Sequence, residues 1–218
     1  MELIVVISII AVIAVFTVPS ASQILKGSTL TQASTILTDQ IRLARDVAVT
    51  QNLKVEVRFY QYADPESVGE TAGNPSTGQF RAVQIFSLQT VKKNGVDTEV
   101  TIPYDKVQLF PQGVIMNSSS TYSTLLNNPA VTQPIKGASD PANPSLPRGI
   151  GTNYNYYSFR FLPDGSTNLA TTGLPWFLTI HNAADAGLSK TPPVPYNFFC
   201  IQVDPVSGTT KSYRPTAG

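Results

Sequence analysis

The first 25 residues of the chain are almost entirely apolar, and every later segment has a different pattern. Glu2 is the only charged residue before Lys26, so residues 3–25 form an uncharged run of 23 positions. At roughly 1.5 Å per residue, a helix of this length measures about 35 Å, enough to cross a hydrocarbon core of roughly 30 Å. We therefore predict that residues 1–25, called the stem below, form a membrane-spanning helix.

Residues 26–52 change to an amphipathic helical pattern. Their apolar positions step by three or four residues, which places them on one face of a helix. These positions are Leu30, Ala33, Leu37, Ile41, Ala44 and Ala48. Arg42 and Asp46 lie off this face at the spacing of an i, i+4 ion pair. The narrow, alanine-rich face predicts a helix lying along a sheet, and the Gly, Ser and Thr residues of 27–35 favour a break near Gly27.

From residue 53 onward the period shortens to two, which is typical of half-buried β-strands. The alternation predicts strands over residues 53–59, 80–91, 98–102, 107–110, 114–116, 154–162, 176–181, 198–203 and 209–213. Asn94-Gly95 predicts a tight hairpin turn, whereas residues 117–153, rich in Ser, Asn, Pro and Gly, predict a long loop.

These patterns predict an α+β fold with three parts. Residues 1–25 form the stem, residues 26–52 the amphipathic half of the same helix, and residues 53–218 a β-rich head. The long N-terminal α-helix, with its membrane-spanning first half, packs on the C-terminal antiparallel β-sheet of the head.

Glu2 lies at the edge of the apolar stem, where a carboxylate is costly unless it has a partner. One interpretation is that Glu2 reaches the membrane interface and has no further role. Another is that it pairs with a positive group, because a buried charge is tolerated when it is paired. Ser20-Ala21-Ser22 could serve as a signal-peptide cleavage site, but a basic region before the apolar run is missing. A plain single-pass anchor is a further alternative and leaves Glu2 unexplained.

Residues 2–14, beginning Glu2-Leu3-Ile4-Val5, resemble the class III signal of type IV pilins and type II secretion pseudopilins. Pro19 falls where many pilins carry a proline that removes one helical hydrogen bond. The resemblance implies that Glu2 meets the N-terminal amine of a neighbouring subunit, and that the helix breaks or kinks at Pro19. The helix-packing positions that it implies are Leu3, Ile7, Ile10 and Ala14.

The same resemblance implies residues that precede Met1. The family signal has a basic leader, a glycine, a phenylalanine and a Thr-Leu pair before the residue that Met1 matches. A gene start assigned too late, or a trimmed sequence, accounts for their absence, and we favour the late start.

Three later segments are similar to the H-type minor pseudopilins of this family. Residues 43–52 end a helix that a strand follows at once, Phe161-Leu162-Pro163-Asp164-Gly165 closes a strand with a turn, and Gly208 lies in a final hairpin. The insert 117–153 makes the chain a divergent member of the group. The C-terminal acidic calcium loop of the major pseudopilins is absent from the sequence.

The sequence offers few residues for a catalytic or metal site. It has one histidine, His181, and one cysteine, Cys200, so no disulfide can form within the chain. Asp164-Gly165-Ser166 lacks the further carboxylate that a calcium loop needs. We expect His181 to lie at the surface or at a strand end. A tyrosine group is expected to be half core and half surface rather than a binding face; it comprises Tyr154, Tyr156 and Tyr157.

The predicted function is that of a structural subunit, a minor pilin or pseudopilin, assembled through its hydrophobic N-terminal helix. No enzyme activity, metal or cofactor is predicted, and a net charge of +1 gives no indication of nucleic-acid binding. The implied partners are other pilin or pseudopilin subunits, a prepilin peptidase, an inner-membrane assembly platform and membrane lipid. The implied location is the bacterial inner membrane, single-pass with the head in the periplasm, and then a filament. The alternative is a single-pass membrane-anchored periplasmic or extracellular adhesin or binding module that does not polymerise.

Overall fold

The computed structural model describes residues 2–67, 69–93, 95–127, 135–137, 142, 144–173, 175–185 and 197–215. Within the first 24 residues, the side chains described are those of residues 5–8 and 10. Helix α1 spans Glu2–Gln51. The strands that follow are β1 (Lys54–Tyr62), β2 (Gln79–Lys93), β3 (Val96–Pro103), β4 (Gln108–Leu109), β5 (Val114–Met116), β6 (Ile135–Lys136), β7 (Asn155–Phe161), β8 (Trp176–Asn182), β9 (Phe198–Val203) and β10 (Thr210–Tyr213).

The strands form one antiparallel sheet. Along its main path the order is β10-β9-β8-β5-β2-β1-β7-β6, and β3 and β4 pair with β2 beside β5. β1 is central, with β2 on one side and β7 on the other. Its register with β2 shifts between Tyr60 and Gln61, so Arg81 is the extra residue of a β-bulge. Each predicted strand occurs, with ends that differ by at most a few residues, and among the strands of the described residues only β6 was not predicted.

The C-terminal half of α1 packs on one face of the sheet. The predicted apolar face is confirmed, since its members from Leu30 to Ala48 are all at most 1% exposed. The helix ends at Gln51 because Asn52 adopts φ +53°, and the Leu53 amide then donates to the Ala48 carbonyl at 3.2 Å. This is the hydrogen-bond pattern of a Schellman cap. It turns the chain directly into β1.

The opposite face of the sheet, called the far face below, has its own core. It is covered by parts of the segment that was predicted to be a long loop, including Ile135, Leu146 and Ile150. These residues pack on aromatic side chains of the sheet, among them Tyr60, Phe86, Tyr154 and Tyr156. The segment also contributes a 3-10 helix, Thr124–Asn127, whose two leucines enter the helix-side core.

The predicted fold class is wrong in its membrane-spanning part. No helix in the part of the chain that the structure describes is long and apolar enough to cross a membrane. From Leu25 onward, α1 is amphipathic and carries five charged residues, which are Lys26, Asp39, Arg42, Arg45 and Asp46. This finding also contradicts the predicted inner-membrane, single-pass location and the membrane anchor of the alternative. The described part of the molecule is mostly antiparallel sheet with one α-helix, so the prediction of a long helix packed on a sheet is matched only in part.

Two smaller expectations about α1 are also corrected. The helix runs through Gly27 without the predicted break. Arg42 and Asp46 do not form an ion pair in the structure, although their spacing allows one. The helical assignment continues through Pro19 as well, and a bend at that residue stays a prediction.

Candidate assembly surface

The five described side chains near the start of α1 are all exposed, and four of them are apolar, the exception being Ser8. Val5 and Ile7 are each 57% exposed, and Ile10 is 60% exposed. The first core residue of the helix is Leu30, which is 1% exposed. The described side chains of the stem therefore include no buried residue, whereas residues 30–48 have a buried face.

Two of the predicted packing residues, Ile7 and Ile10, lie next to each other on this surface. Residues three apart are neighbours on a helix, with Cβ atoms about 5–6 Å from each other. The side chains of Glu2, Leu3 and Ala14 lie outside the described residues. The structure therefore places Ile7 and Ile10 together. The packing roles of Leu3 and Ala14, and the pairing of Glu2, stay predictions.

The junction between stem and head is held by local hydrogen bonds. Thr29 Oγ1 donates to the Lys26 carbonyl at 3.0 Å, and Thr31 Oγ1 donates to the Gly27 carbonyl at 2.9 Å. Hydroxyls that bond back to the preceding turn satisfy their own donors inside a helix. Arg214 Nη1, near the C-terminus, donates to Thr31 Oγ1 at 3.0 Å. The polar segment 27–35 is therefore helical, and a contact from the end of the chain supports it.

A buried ion-pair cluster on the far face was missed by sequence reasoning. Arg58 is 1% exposed, and its Nε donates to Glu56 Oε1 at 2.5 Å. Arg160 Nε donates to the other Glu56 oxygen at 2.9 Å. The Arg58 guanidinium also lies between two rings, 4.0 Å from the centroid of Phe86 and 4.4 Å from that of Tyr156. Cation–π contacts and ion pairs together compensate for the burial of this charge.

A second cluster surrounds the bulge residue Arg81. Its Nη2 contacts a carboxylate oxygen of Glu70 and lies 3.2 Å from Ser67 Oγ, and its Nη1 is 3.5 Å from Asp64 Oδ2. Burial raises the pKa of the nearby Tyr62 hydroxyl, and the positive charge of Arg81 opposes that rise. The cluster ties the loop after β1 to the sheet.

His181 and Cys200 are not arranged for catalysis. Of the two positions expected for His181, the structure shows the strand end and not the surface, since the residue is buried near the end of β8. Its Nδ1 is 2.9 Å from the Asn182 carbonyl oxygen, and its Nε2 is 3.2 Å from Asn117 Nδ2. Nδ1–H therefore donates and Nε2 accepts, so both nitrogens are engaged. Burial raises the pKa of the Cys200 thiol, although a hydrogen bond with Thr179 opposes the rise.

The other groups considered as candidates, which are the Asp164 turn and the tyrosine group, also have structural roles. Among the described residues, no group of three His, Cys, Asp or Glu side chains could hold a metal ion. Asp164 Oδ1 accepts from the Ser166 hydroxyl at 2.6 Å and from its amide at 2.9 Å, and these bonds lower the pKa of Asp164. Tyr154 and Tyr156 are buried in the far-face core and Tyr157 is half-buried. They do not form a binding face.

An open cavity of about 830 Å³ lies between the segments 103–107 and 144–147. Its buried polar side chain, Gln84, is already engaged, since it donates to the Asp105 carbonyl at 2.8 Å and accepts from Tyr60 Oη at 3.1 Å. The Gln84 amide is therefore not available to bind a ligand in this cavity.

The sequence matches no protein-family model, no curated protein and no solved structure. These comparisons give no family evidence for a pilin or for a secretion protein. The resemblance of residues 2–14 to pilins stays a prediction.

Proposed function

We propose that the chain is a structural subunit that assembles into a filament through helix–helix packing of its stem. The observation that carries this proposal is the exposure of Val5, Val6, Ile7 and Ile10, all of which are more than half exposed. A helix that is hydrophobic all round is stable when it is buried among other elements. Stems of neighbouring subunits would supply that environment.

The two halves of α1 have different surroundings, which supports the same proposal. Residues 30–48 hold the helix to the sheet through a fully buried face. The stem can then extend from a rigid base, since Leu25 is 66% exposed and the core begins at Leu30. The resemblance of residues 2–14 to pilins adds a specific role for Glu2, which is to pair with the N-terminal amine of the next subunit. That pairing would fix the register between stems.

The test uses the full-length protein and compares a double charge substitution in the stem with a single charge substitution in the head. Ile7→Asp with Ile10→Asp places two carboxylates in the proposed contact. The control, Val206→Asp, puts a carboxylate at an apolar position of the head that is 66% exposed. Sedimentation velocity and negative-stain electron microscopy measure assembly. We expect ordered filaments from the wild type and from Val206→Asp, and loss of nearly all filaments from the stem variant.

Two results would contradict the proposal. One is a wild-type protein that stays monomeric over the whole concentration range. The other is a stem variant that assembles as well as the wild type. A separate substitution, Glu2→Ala, tests the pairing itself, and we expect it to prevent incorporation of the variant into wild-type filaments.

A further inference from the structure

Strand β3 has one paired edge and one open edge. Its 8 residues pair with β2 and, within the described ranges, with no other strand. β4 and β5 pair with β2 at residues 80–83, further back along that strand, so they do not cover the outer edge of β3. All of β3 except Thr101 is exposed. An open edge presents peptide N–H and C=O groups that another strand can pair.

One hydrogen bond identifies the groups that point outward. The Tyr104 amide donates to the Ile85 carbonyl of β2 at 3.0 Å. Because residues of an antiparallel ladder alternate, the even-numbered residues of β3 direct their peptide groups to β2, and the odd-numbered residues 97–101 direct theirs outward. Pro103, which has no N–H, falls in the outward set, where proline is tolerated on an edge strand. The edge therefore offers a regular row of donors and acceptors.

The same strand has an exposed apolar face. Val83 and Ile85 belong to the helix-side core, so alternation places Val91 on that side of β2, beyond the end of the helix. The residues of β3 on this side are Val96, Thr98, Val100 and Ile102. Val96 is 66% exposed and Val100 is 39% exposed. A contiguous apolar row beside an open edge is typical of an interaction surface.

We propose that β3 pairs antiparallel, edge to edge, with β3 of a second copy of this chain. A twofold contact requires each residue i to face j while j faces i. Centred on Val100, the pairing sets Val100 against Val100 and Thr98 against Ile102 on the apolar face. On the other face, Glu99 lies opposite Thr101. Asp97 lies opposite Pro103, so no acid faces another acid within residues 97–103.

Charge selects this register. Centring the contact on residue 99 would set Glu99 against Glu99, and centring it on residue 98 would set Asp97 against Glu99. Like charges directly opposite each other destabilise a pair of strands. Centring it on residue 101 shortens the paired stretch to residues 99–103. The register centred on Val100 is therefore the longest that avoids contact between acids.

This contact is separate from the one proposed for the stem. Tyr104, which follows β3, lies beside the end of α1, with its hydroxyl oxygen 3.4 Å from Gln51 Nε2. Ile7 is 44 residues earlier in the helix. At roughly 1.5 Å per residue, the stem contact and β3 are about 65 Å apart along the helix axis. Each contact can therefore be removed without touching the other.

The experiment is cysteine cross-linking of the full chain. Val100→Cys is made in a Cys200→Ser background that also carries Ile7→Asp and Ile10→Asp, and it is oxidised with oxidised glutathione. In the proposed pairing, residue 100 occupies a site where Cα atoms are about 4.5 Å apart, within the range for a disulfide. The matched control is Thr98→Cys, on the same face of the same strand. Its two copies lie four residues out of register, roughly 13 Å apart at about 3.3 Å per residue.

We expect Val100→Cys to form covalent dimers at least tenfold faster than Thr98→Cys. Adding Thr101→Pro removes one outward N–H without touching a bond to β2, and should slow the cross-linking at least tenfold while circular dichroism stays unchanged. Thr101 is chosen because the Glu99 carboxylate binds Lys54 and Arg160 of its own chain. Equal or faster cross-linking of Thr98→Cys, or none at either position, would overturn the proposal. Because the stem variants are present throughout, failure of the stem proposal would not affect this result.

Discussion

Alternate residues of a single strand, β1, show how differently the two faces of the sheet are built. Val55, Val57 and Phe59 face the helix, and each is 0% exposed. Between them, Glu56 and Arg58 face the opposite side and are also buried. These residues of β1 are therefore buried to nearly the same degree on both faces. Removal of apolar surface from water stabilises those that face the helix, and charge pairing stabilises Glu56 and Arg58 on the far face.

The difference determines how each face responds to change. Burying an aliphatic or aromatic side chain contributes about 1.5–3 kcal/mol. On the helix side, the stability lost in a truncation therefore increases with the number of apolar atoms removed. A buried ion pair contributes little net stability while intact, but removing one partner leaves an uncompensated charge. The far face is therefore more sensitive to single substitutions than to paired ones.

The largest effect is expected from Glu56→Leu. The substitution removes the carboxylate that binds both Arg58 and Arg160, and removal of one partner of a buried ion pair lowers the free energy of unfolding by about 3–5 kcal/mol. Urea denaturation measures the change. The double variant Glu56→Leu, Arg58→Met should be more stable than the single one, because the buried charge of Arg58 is removed as well. A double variant less stable than Glu56→Leu would show that the two faces do not differ in this way.

A somewhat smaller effect is expected on the helix side from Leu37→Ala. Leu37 is 0% exposed, and the cavity left by the substitution lowers the free energy of unfolding by about 3 kcal/mol. Leu43→Ala, on the exposed side of the same helix, is the matched control and should change stability by about 0.5 kcal/mol. Equal losses at the two positions would mean that α1 is not held to the sheet as described.

A still smaller loss of stability is expected from Tyr60→Phe on the far face. Tyr60 Oη donates to Gln84 Oε1 at 3.1 Å in a buried setting. Removing the hydroxyl leaves the amide oxygen without that donor and lowers the free energy of unfolding by about 1–2 kcal/mol. Thermal unfolding followed by circular dichroism is sufficient to detect this. No change in Tm would indicate that water replaces the lost donor.

The smallest effect is expected at Asp164, which lies in the turn after β7 and belongs to neither face. Hydrogen bonds from Ser166 lower the pKa of its carboxyl from 3.8, so folding favours the charged form. The contribution is therefore complete above about pH 4 and is lost as the pH falls through the lowered pKa. Carboxyl chemical shifts in an NMR titration report the pKa directly. Asp164→Asn should remove a small acid-dependent loss of stability, and an unshifted pKa in the wild type would exclude this account.

The helix-side architecture could be predicted from the sequence because local spacing determines it. A period of 3.6 identified the buried face of α1, and a period of two located the strands within a few residues. The far face was not predicted, since charged Glu56 and Arg58 on an alternating strand indicate solvent. Arg58 is buried between the rings of Phe86 and Tyr156, and these rings belong to the same cluster as Leu146, which lies about 90 positions after Glu56 in a segment with no regular pattern. The aromatic residues at the same alternate positions, Tyr60 and Phe86, were the available indication.

The candidate assembly surface was predicted unevenly for a similar reason. The apolar run was evident in the sequence, the resemblance to pilins named Ile7 and Ile10 within it as packing positions, and both are exposed. The length and hydropathy of the stem also led to the prediction of a membrane span, which the described helix contradicts. The length of the apolar run suggested a helix that could cross a membrane. The charged residues from Lys26 onward limit the apolar part of α1.

The position of α1 at the start of the chain has a consequence for its synthesis. The face that α1 buries is completed by β8 and β9, including Leu178 and Ile201. At roughly 5–20 residues per second, translating from the end of the helix to β9 takes about 8–30 s. During that interval the helix has no complete sheet to pack on. The β1–β2 pair is the first part of the sheet that the emerging chain can form, because both strands precede β3. The helix is made first, but the surface on which it packs is complete only after β9 has been made.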